Sequence, residues 1–125
     1  MPATVKDMMA AAQAVVSRIT PQEAQALIAQ GSALVVDLRD GTEIAASGRV
    51  KGALHISRGL LEFKADPQSP AYEPALRSDR TILLYCGSGG RAALAGKLLK
   101  DMGYADVRNL GGFADWVKAG GAVEK

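Results

Sequence analysis

The residues best suited to chemistry in this sequence lie at positions 86 to 91, which read CGSGGR. Cys86 is the one cysteine of the 125-residue chain, and Arg91 ends the stretch. The thiolate is the nucleophilic form of cysteine, and a nearby cation or helix N-terminus favours it. The stretch therefore predicts a nucleophilic thiol. The alternative is a structural cysteine, because free cysteine is among the most buried residue types.

Glycine dominates the positions after Cys86. Glycine adopts positive φ readily, so successive backbone N–H groups can point inward at one spot and bind an anion. Arg91 falls in the first turn of the following helix, where a cation opposes the helix dipole. This placement favours an arginine that faces an anion bound in the loop. The predicted cradle consists of Gly87, Ser88, Gly89, Gly90 and Arg91.

The elements around this loop explain how it would be positioned. A β-branched and apolar run at 81–85 precedes Cys86, and a helical pattern at 91–103 follows. Further strand patterns at 33–38, 53–56 and 106–110 alternate with helical ones. Such alternation predicts an α/β fold, with a parallel sheet and helices on both faces. Sites in such sheets form outside the carboxyl ends of the strands, where Cys86 falls.

Residues 1–17 form a predicted N-terminal helical extension, and residues 18–125 form the main domain. Apolar residues from Val5 to Val16 recur at helical spacing. We expect this helix to pack on its own domain; a homodimer through the helix is the alternative. The sequence TPQE at 20–23 then predicts a helix start with a capping box.

Composition excludes several classes of function. A net charge of +2 is too small to indicate nucleic-acid binding, and one cysteine excludes an intrachain disulfide framework. No apolar run approaches the ~18 residues of a membrane span. We therefore expect a cytoplasmic protein with neither a nucleic-acid nor a membrane partner.

Other polar residues follow neighbouring strand ends. We expect Asp37 to hold loops by hydrogen bonds and Arg39 to be structural, paired with Glu43. Arg58 follows the next strand end, from where it could reach a bound anion. His55 lies inside an apolar run and is interpreted as a core residue.

Three ordered stretches resemble the rhodanese family of single-domain sulfurtransferases, in the superfamily of rhodaneses and cell-cycle-control phosphatases. They are VVDLRDGTEIAASGRVKGALHIS, YCGSGGRAALAGKLLKDMGY, and NLGGFADW with GGAV. The resemblance covers the chain from about Ile19 to Ala122. It implies a rhodanese-like fold with a central, mainly parallel five-stranded sheet.

The resemblance also implies a sulfurtransferase in which Cys86 carries the sulfur as a persulfide. The donor would be thiosulfate or a similar sulfur compound. The acceptor would be cyanide or a thiol, with thioredoxin and glutathione as candidates, and no metal or cofactor is implied. Related cysteine phosphatases have a loop one residue longer, so this loop favours sulfur over phosphate. The sequence CGSG, with Gly87 directly after the cysteine, resembles that of mercaptopyruvate sulfurtransferases. The identity of the sulfur donor therefore stays open. The alternative is a non-enzymatic binding, regulatory or sulfur-sensing module.

Overall fold

A computed structural model describes residues 2–125 of the chain. Local sequence signals, such as capping residues, mark the ends of its α-helices. Thr20 caps the second of them, accepting from the Glu23 N–H at 3.1 Å, while the Glu23 carboxylate accepts from the Thr20 N–H at 2.9 Å. The predicted capping box is therefore confirmed. The helices are α1 (Val5–Val15), α2 (Pro21–Ala29), α3 (Gly41–Ser47), α4 (Leu61–Ala65), α5 (Gly90–Asp101) and α6 (Phe113–Lys118).

The strands form one larger and one smaller sheet. They are β1 (Ser17–Arg18), β2 (Ala33–Asp37), β3 (Arg49–Val50), β4 (Leu54–His55), β5 (Thr81–Cys86), β6 (Val107–Gly112) and β7 (Val123–Glu124). The larger sheet has five strands in the order β1-β6-β5-β2-β4, and all its pairs are parallel. The α/β fold with a five-stranded parallel sheet is confirmed. The two-stranded antiparallel sheet of β3 and β7 was not predicted.

Two strand boundaries differ from the sequence prediction. β6 continues through Gly111 and Gly112, two residues beyond the strand pattern at 106–110. The helix α6 begins only at Phe113. The strand predicted at 53–56 is reduced to Leu54 and His55, and both are half-buried.

Two apolar clusters lie on the two faces of the sheet. One joins β5 and β2 residues to α4 and α5, and includes Leu84, Leu61 and Leu99. The other joins the opposite face to α2 and α6, and includes Tyr85 and Trp116. Because β5 alternates between the clusters, Cys86 follows Leu84 into the first one.

The helix α1 packs against α5 of the same chain. Ala12 is fully buried, and Val16 lies against Gly96 of α5. Met8 and Val15 remain 41% and 47% exposed. Whether this exposed side pairs with a second chain, and whether the domain begins at residue 18, stay predictions. Within residues 2–125, no helix is long and apolar enough to cross a membrane.

Candidate active site

The candidate site lies at the carboxyl edge of the larger sheet, in the loop between β5 and α5. Cys86 is the last residue of β5, and its side chain is buried. The Gly89 backbone N–H donates to the Cys86 Sγ across 3.0 Å. An N–H donor held against sulfur favours negative charge there. This contact is the kind that the predicted cradle requires.

Fewer glycines of the loop adopt a positive φ than the sequence predicted. Of the three loop glycines, Gly89 has a positive φ, of 98°, and Gly87 and Gly90 do not. Gly89 therefore carries the left-handed turn that starts α5. Within residues 2–125, the N–H groups of Gly87, Ser88, Gly90 and Arg91 have no acceptor. They remain available to a bound anion.

Arg91 forms a two-pronged ion pair with Glu43, a contact that the sequence prediction missed. Its Nη1 and Nη2 donate to the two carboxylate oxygens at 2.8 and 3.0 Å. These hydrogen bonds, aided by the Asp40 N–H, lower the pKa of Glu43 to about 2. The pair also raises the pKa of Arg91. The loop cation is therefore already balanced by a carboxylate, rather than facing an empty cradle.

This ion pair lies where a side chain at position 87 would be. A Cβ on Gly87 would stand 3.1 Å from the Arg91 Nη2 and 3.4 Å from the Glu43 Oε2. The 3.1 Å separation is tighter than ordinary van der Waals contact. A side chain at position 87 would therefore need a small shift of the ion pair.

Asp37 and Arg39 form a buried ion pair, and the supporting role expected of them stays a prediction. The Arg39 guanidinium donates to Asp37, with Nη2 to Oδ2 at 2.9 Å, and also to the carbonyl of Gly48 at 2.7 Å. The Tyr85 hydroxyl donates to the same Asp37 carboxylate. Burial and this contact raise the pKa of Tyr85. The expected pairing of Arg39 with Glu43 is wrong, because Asp37 holds Arg39 and Arg91 holds Glu43.

Two residues of β6 fix the loop from behind. The Asn109 amide donates to the Gly89 carbonyl at 3.1 Å, and its oxygen accepts from the Gly111 N–H at 2.8 Å. A Cβ on Gly112 would come within 2.6 Å of the Gly87 carbonyl oxygen. The loop thus rests directly on the β6 backbone. Neither role was predicted, although both residues belong to the NLGG stretch.

The side chains of two other candidate residues form their hydrogen bonds outside the loop. Arg58 donates to Glu62 at 3.0 Å and lines a groove between α1 and α5. Within residues 2–125 it makes no hydrogen bond or ion pair with the loop, and its role toward a donor stays a prediction. His55 contacts the Arg39 carbonyl through Nε2 at 2.7 Å, as a half-buried structural residue.

Comparison with known families decides what kind of domain carries this loop. The family model described as the rhodanese-like domain matches residues 20–119 of this chain. The chain belongs to the rhodanese-like domain family. The match covers four of the five strands of the larger sheet, all but β1, and it also covers the loop at Cys86. The fold and the recognition of the family from its three sequence stretches are both confirmed.

Relatives of this rhodanese-like domain support a sulfurtransferase role. The human thiosulfate:glutathione sulfurtransferase is 34% identical over 104 residues, covering 77% of this chain and 89% of the relative. The thiosulfate sulfurtransferase GlpE of Pseudomonas fluorescens is 37% identical, covering 79% and 83%. A solved structure from Rhodopseudomonas palustris, of a protein of unknown function and possible tyrosine phosphatase, is 38% identical. It covers 99% of both chains with a TM-score of 0.89.

Proposed function

We propose that this rhodanese-like domain transfers a sulfane sulfur through a persulfide on Cys86. The observation that carries the proposal is the Gly89 N–H held 3.0 Å from the Cys86 Sγ. Four neighbouring N–H groups without an acceptor in residues 2–125 add to it. Together they favour a thiolate at the end of β5 and an anion in front of it.

The reaction has two halves. The Cys86 thiolate attacks the outer sulfur of thiosulfate, forming an S–S bond to the enzyme. The S–S bond of thiosulfate breaks, and sulfite leaves with the electron pair. A thiolate or cyanide then attacks the outer sulfur of the persulfide, and Cys86 leaves again as thiolate. Neither half needs a metal ion, an oxidant or a general base once the thiol is ionised.

The residues of the loop divide this work. The backbone N–H groups from Gly87 to Arg91 hold the charge of the thiolate and of the persulfide. Arg91 neutralises the Glu43 carboxylate beside the loop, so that this carboxylate does not repel an anionic donor. Because the thiol is buried while Gly87 and Ser88 are exposed, a small donor suits the site better than a large one.

The decisive experiment is mass spectrometry of the intact chain after incubation with thiosulfate. We expect the mass to rise by one sulfur atom in the wild type and to stay unchanged in Cys86→Ser. Steady-state kinetics with thiosulfate and cyanide should show the parallel lines of a ping-pong mechanism. A wild-type chain that gains no sulfur from thiosulfate, mercaptopyruvate or a low-molecular-weight persulfide would contradict the proposal.

A phosphatase is the second candidate, favoured by the possible tyrosine phosphatase from Rhodopseudomonas palustris. The loop argues against it, because it has four residues between Cys86 and Arg91 and so forms a tight cradle. Arg91 is also engaged by Glu43. An assay with p-nitrophenyl phosphate distinguishes the two activities. Hydrolysis that depends on Cys86, without any persulfide, would favour the phosphatase.

A further inference from the structure

A cleft lies between α1 and the back of the active-site loop, and the proposed chemistry does not yet use it. We call it the α1 cleft; its volume is about 320 Å³. That volume lies at the lower end of the range for small-molecule sites. Residues lining it include Met9, Gln13, Arg18, Ser88, Gly89 and Asn109.

A single layer of backbone separates the α1 cleft from the Cys86 sulfur. Gly89 lines the cleft, and the N–H of the same residue donates to the Cys86 Sγ at 3.0 Å. Ser88, at the rim, is exposed. A molecule seated in the cleft therefore needs to pass only over Ser88 to bring a flexible arm to the mouth of the loop.

Arg18 lines the cleft with a positive charge that no carboxylate of residues 2–125 holds in an ion pair. Within residues 2–125, it forms neither an ion pair nor a side-chain hydrogen bond, whereas Arg91 is held by Glu43. Glu23 lines a neighbouring pocket together with Arg18, and so does Asp115. Asp115 stays beyond ion-pair distance of Arg18, although the side chains of both residues approach Gly111. Arg18 thus lines a cleft at this loop without an ion-pair partner in residues 2–125.

The backbone fixes where Arg18 stands. β1 pairs with β6 so that Arg18 lies beside Asn109, the residue that holds the Gly89 carbonyl. The Arg18 Nη2 lies 3.1 Å from the point where a Cβ of Gly111 would be. Since Gly111 has a φ of 96°, the glycine gives both the turn of the strand and the room for the guanidinium.

We propose that the α1 cleft binds the carboxylate-bearing part of the sulfur acceptor, a small peptide thiol, through Arg18. This inference rests on the proposed sulfurtransferase function. A donor such as thiosulfate is too small to fill the cleft while its outer sulfur meets Cys86. A peptide thiol can span both places, because three extended residues reach about 10 Å. Its thiolate attacks the outer persulfide sulfur, forming a new persulfide and releasing the Cys86 thiolate.

Acceptor kinetics test the role of Arg18. The probes are glutathione, which carries carboxylates, and 2-mercaptoethanol, which is uncharged, each with thiosulfate as donor. We expect Arg18→Gln to raise the KM for glutathione about threefold to fivefold, the effect of losing one solvent-screened charged contact. The KM for 2-mercaptoethanol and for thiosulfate should not change. Arg18→Lys should recover part of the loss.

Arg80→Gln is the matched control. Arg80 also has no ion pair within residues 2–125, but it precedes β5 and so lies at the opposite edge of the sheet. We expect it to leave every KM unchanged. If Arg18→Gln alters the KM for both thiols equally, or for neither, the proposal is wrong.

Binding without turnover separates this proposal from the sulfurtransferase function itself. The probe is S-methylglutathione, which lacks a reactive thiol, and the measurement is the change in amide NMR shifts on titration. We expect shifts centred on Gln13, Arg18 and Ser88 in the wild type and in Cys86→Ser, and a several-fold weaker affinity in Arg18→Gln. Gln13→Trp, which fills the cleft without changing its charge, should abolish the shifts. Shifts elsewhere, or none, would overturn the proposal even if Cys86 forms a persulfide.

Discussion

Glu43 and Arg91, 48 positions apart in the chain, meet in a two-pronged ion pair beside Gly87. The pair joins α3, at the end of β2, to the first turn of α5, at the end of β5. The helix that carries Arg91 would prefer an acidic residue in this turn. Glu43 supplies that negative charge from a neighbouring element, so the arginine can stand at the mouth of the loop.

Replacing Arg91 should therefore do more than remove a cation. In Arg91→Gln, the Glu43 carboxylate remains near the loop without its partner and repels an anionic donor. We expect the KM for thiosulfate to rise about tenfold, or about 1.4 kcal/mol. The double variant Arg91→Gln with Glu43→Gln should recover most of this loss, because the repelling charge is gone. Equal KM values in the single and double variants would show that Glu43 does not act through its charge.

The same pair predicts a pH dependence. The pKa of Glu43 is lowered to about 2 from its ordinary value of 4.5. The pair therefore contributes its full stability above pH 4.5, and loses it as the pH falls from there through 2. Carbon NMR of the Glu43 carboxyl group should give a midpoint near 2 in the wild type.

In Arg91→Gln, the midpoint of Glu43 should rise. It should stay below the ordinary range, since the Asp40 N–H still donates to the carboxylate. Arg58→Gln is the control, because Arg58 pairs with Glu62 and not with Glu43. A Glu43 midpoint in its ordinary range in the wild type would mean that the ion pair does not persist in solution.

Gly112 should be a sensitive position, because the loop rests on it. An added Cβ would lie 2.6 Å from the Gly87 carbonyl oxygen and 3.3 Å from the Ser88 Cα, both backbone atoms. We expect Gly112→Ala to lower the free energy of unfolding by about 1–3 kcal/mol, the usual cost of overpacking. It should also slow persulfide formation, because the loop must shift.

Gly41→Ala is the matched control for this change. A Cβ at Gly41 meets nothing within 4 Å, and its φ is not positive. Its free energy of unfolding should stay within about 0.5 kcal/mol of the wild type. If Gly112→Ala is equally harmless in thermal unfolding and in sulfur transfer, the loop does not rest on β6 in solution.

The sequence predicted the features whose causes are local. Capping residues mark the start of α2, and the apolar run before Cys86 identifies β5. The two-residue strands β1, β3 and β7 were missed, because so short a strand has no periodicity to detect. Gly111 and Gly112 resemble a break before a helix, and only pairing with β5 makes them part of β6.

Within the site, the contacts between residues close together in the sequence were predictable. Cys86 and the turn at Gly89 follow from one short stretch, and the structure places them in contact. The pairing of arginines with carboxylates was not predictable, because several distant partners have equal chemistry. Arg39 takes Asp37, two positions away, and this leaves Glu43 to Arg91. Only the arrangement of the sheet decides between these partners.

The contact between α1 and α5 predicts that the effect of one substitution on the free energy of unfolding has opposite signs in two backgrounds. Gly96 lies inside α5, where alanine is favoured over glycine by about 1 kcal/mol. An added Cβ would lie 2.9 Å from both methyl carbons of Val16, which is β-branched and stiff. We therefore expect Gly96→Ala to lower the free energy of unfolding in the wild-type background.

In a Val16→Ala background the obstructing methyl groups are gone, and Gly96→Ala should then raise the free energy of unfolding. The measurement is urea denaturation of the four chains of this double-mutant cycle, with Gly41→Ala as a glycine-to-alanine control away from α1. The expected coupling between the two sites is about 1–2 kcal/mol, within the range for residues in contact. Additive effects would mean that α1 does not rest on Gly96 in solution, and one wall of the α1 cleft would then be lost.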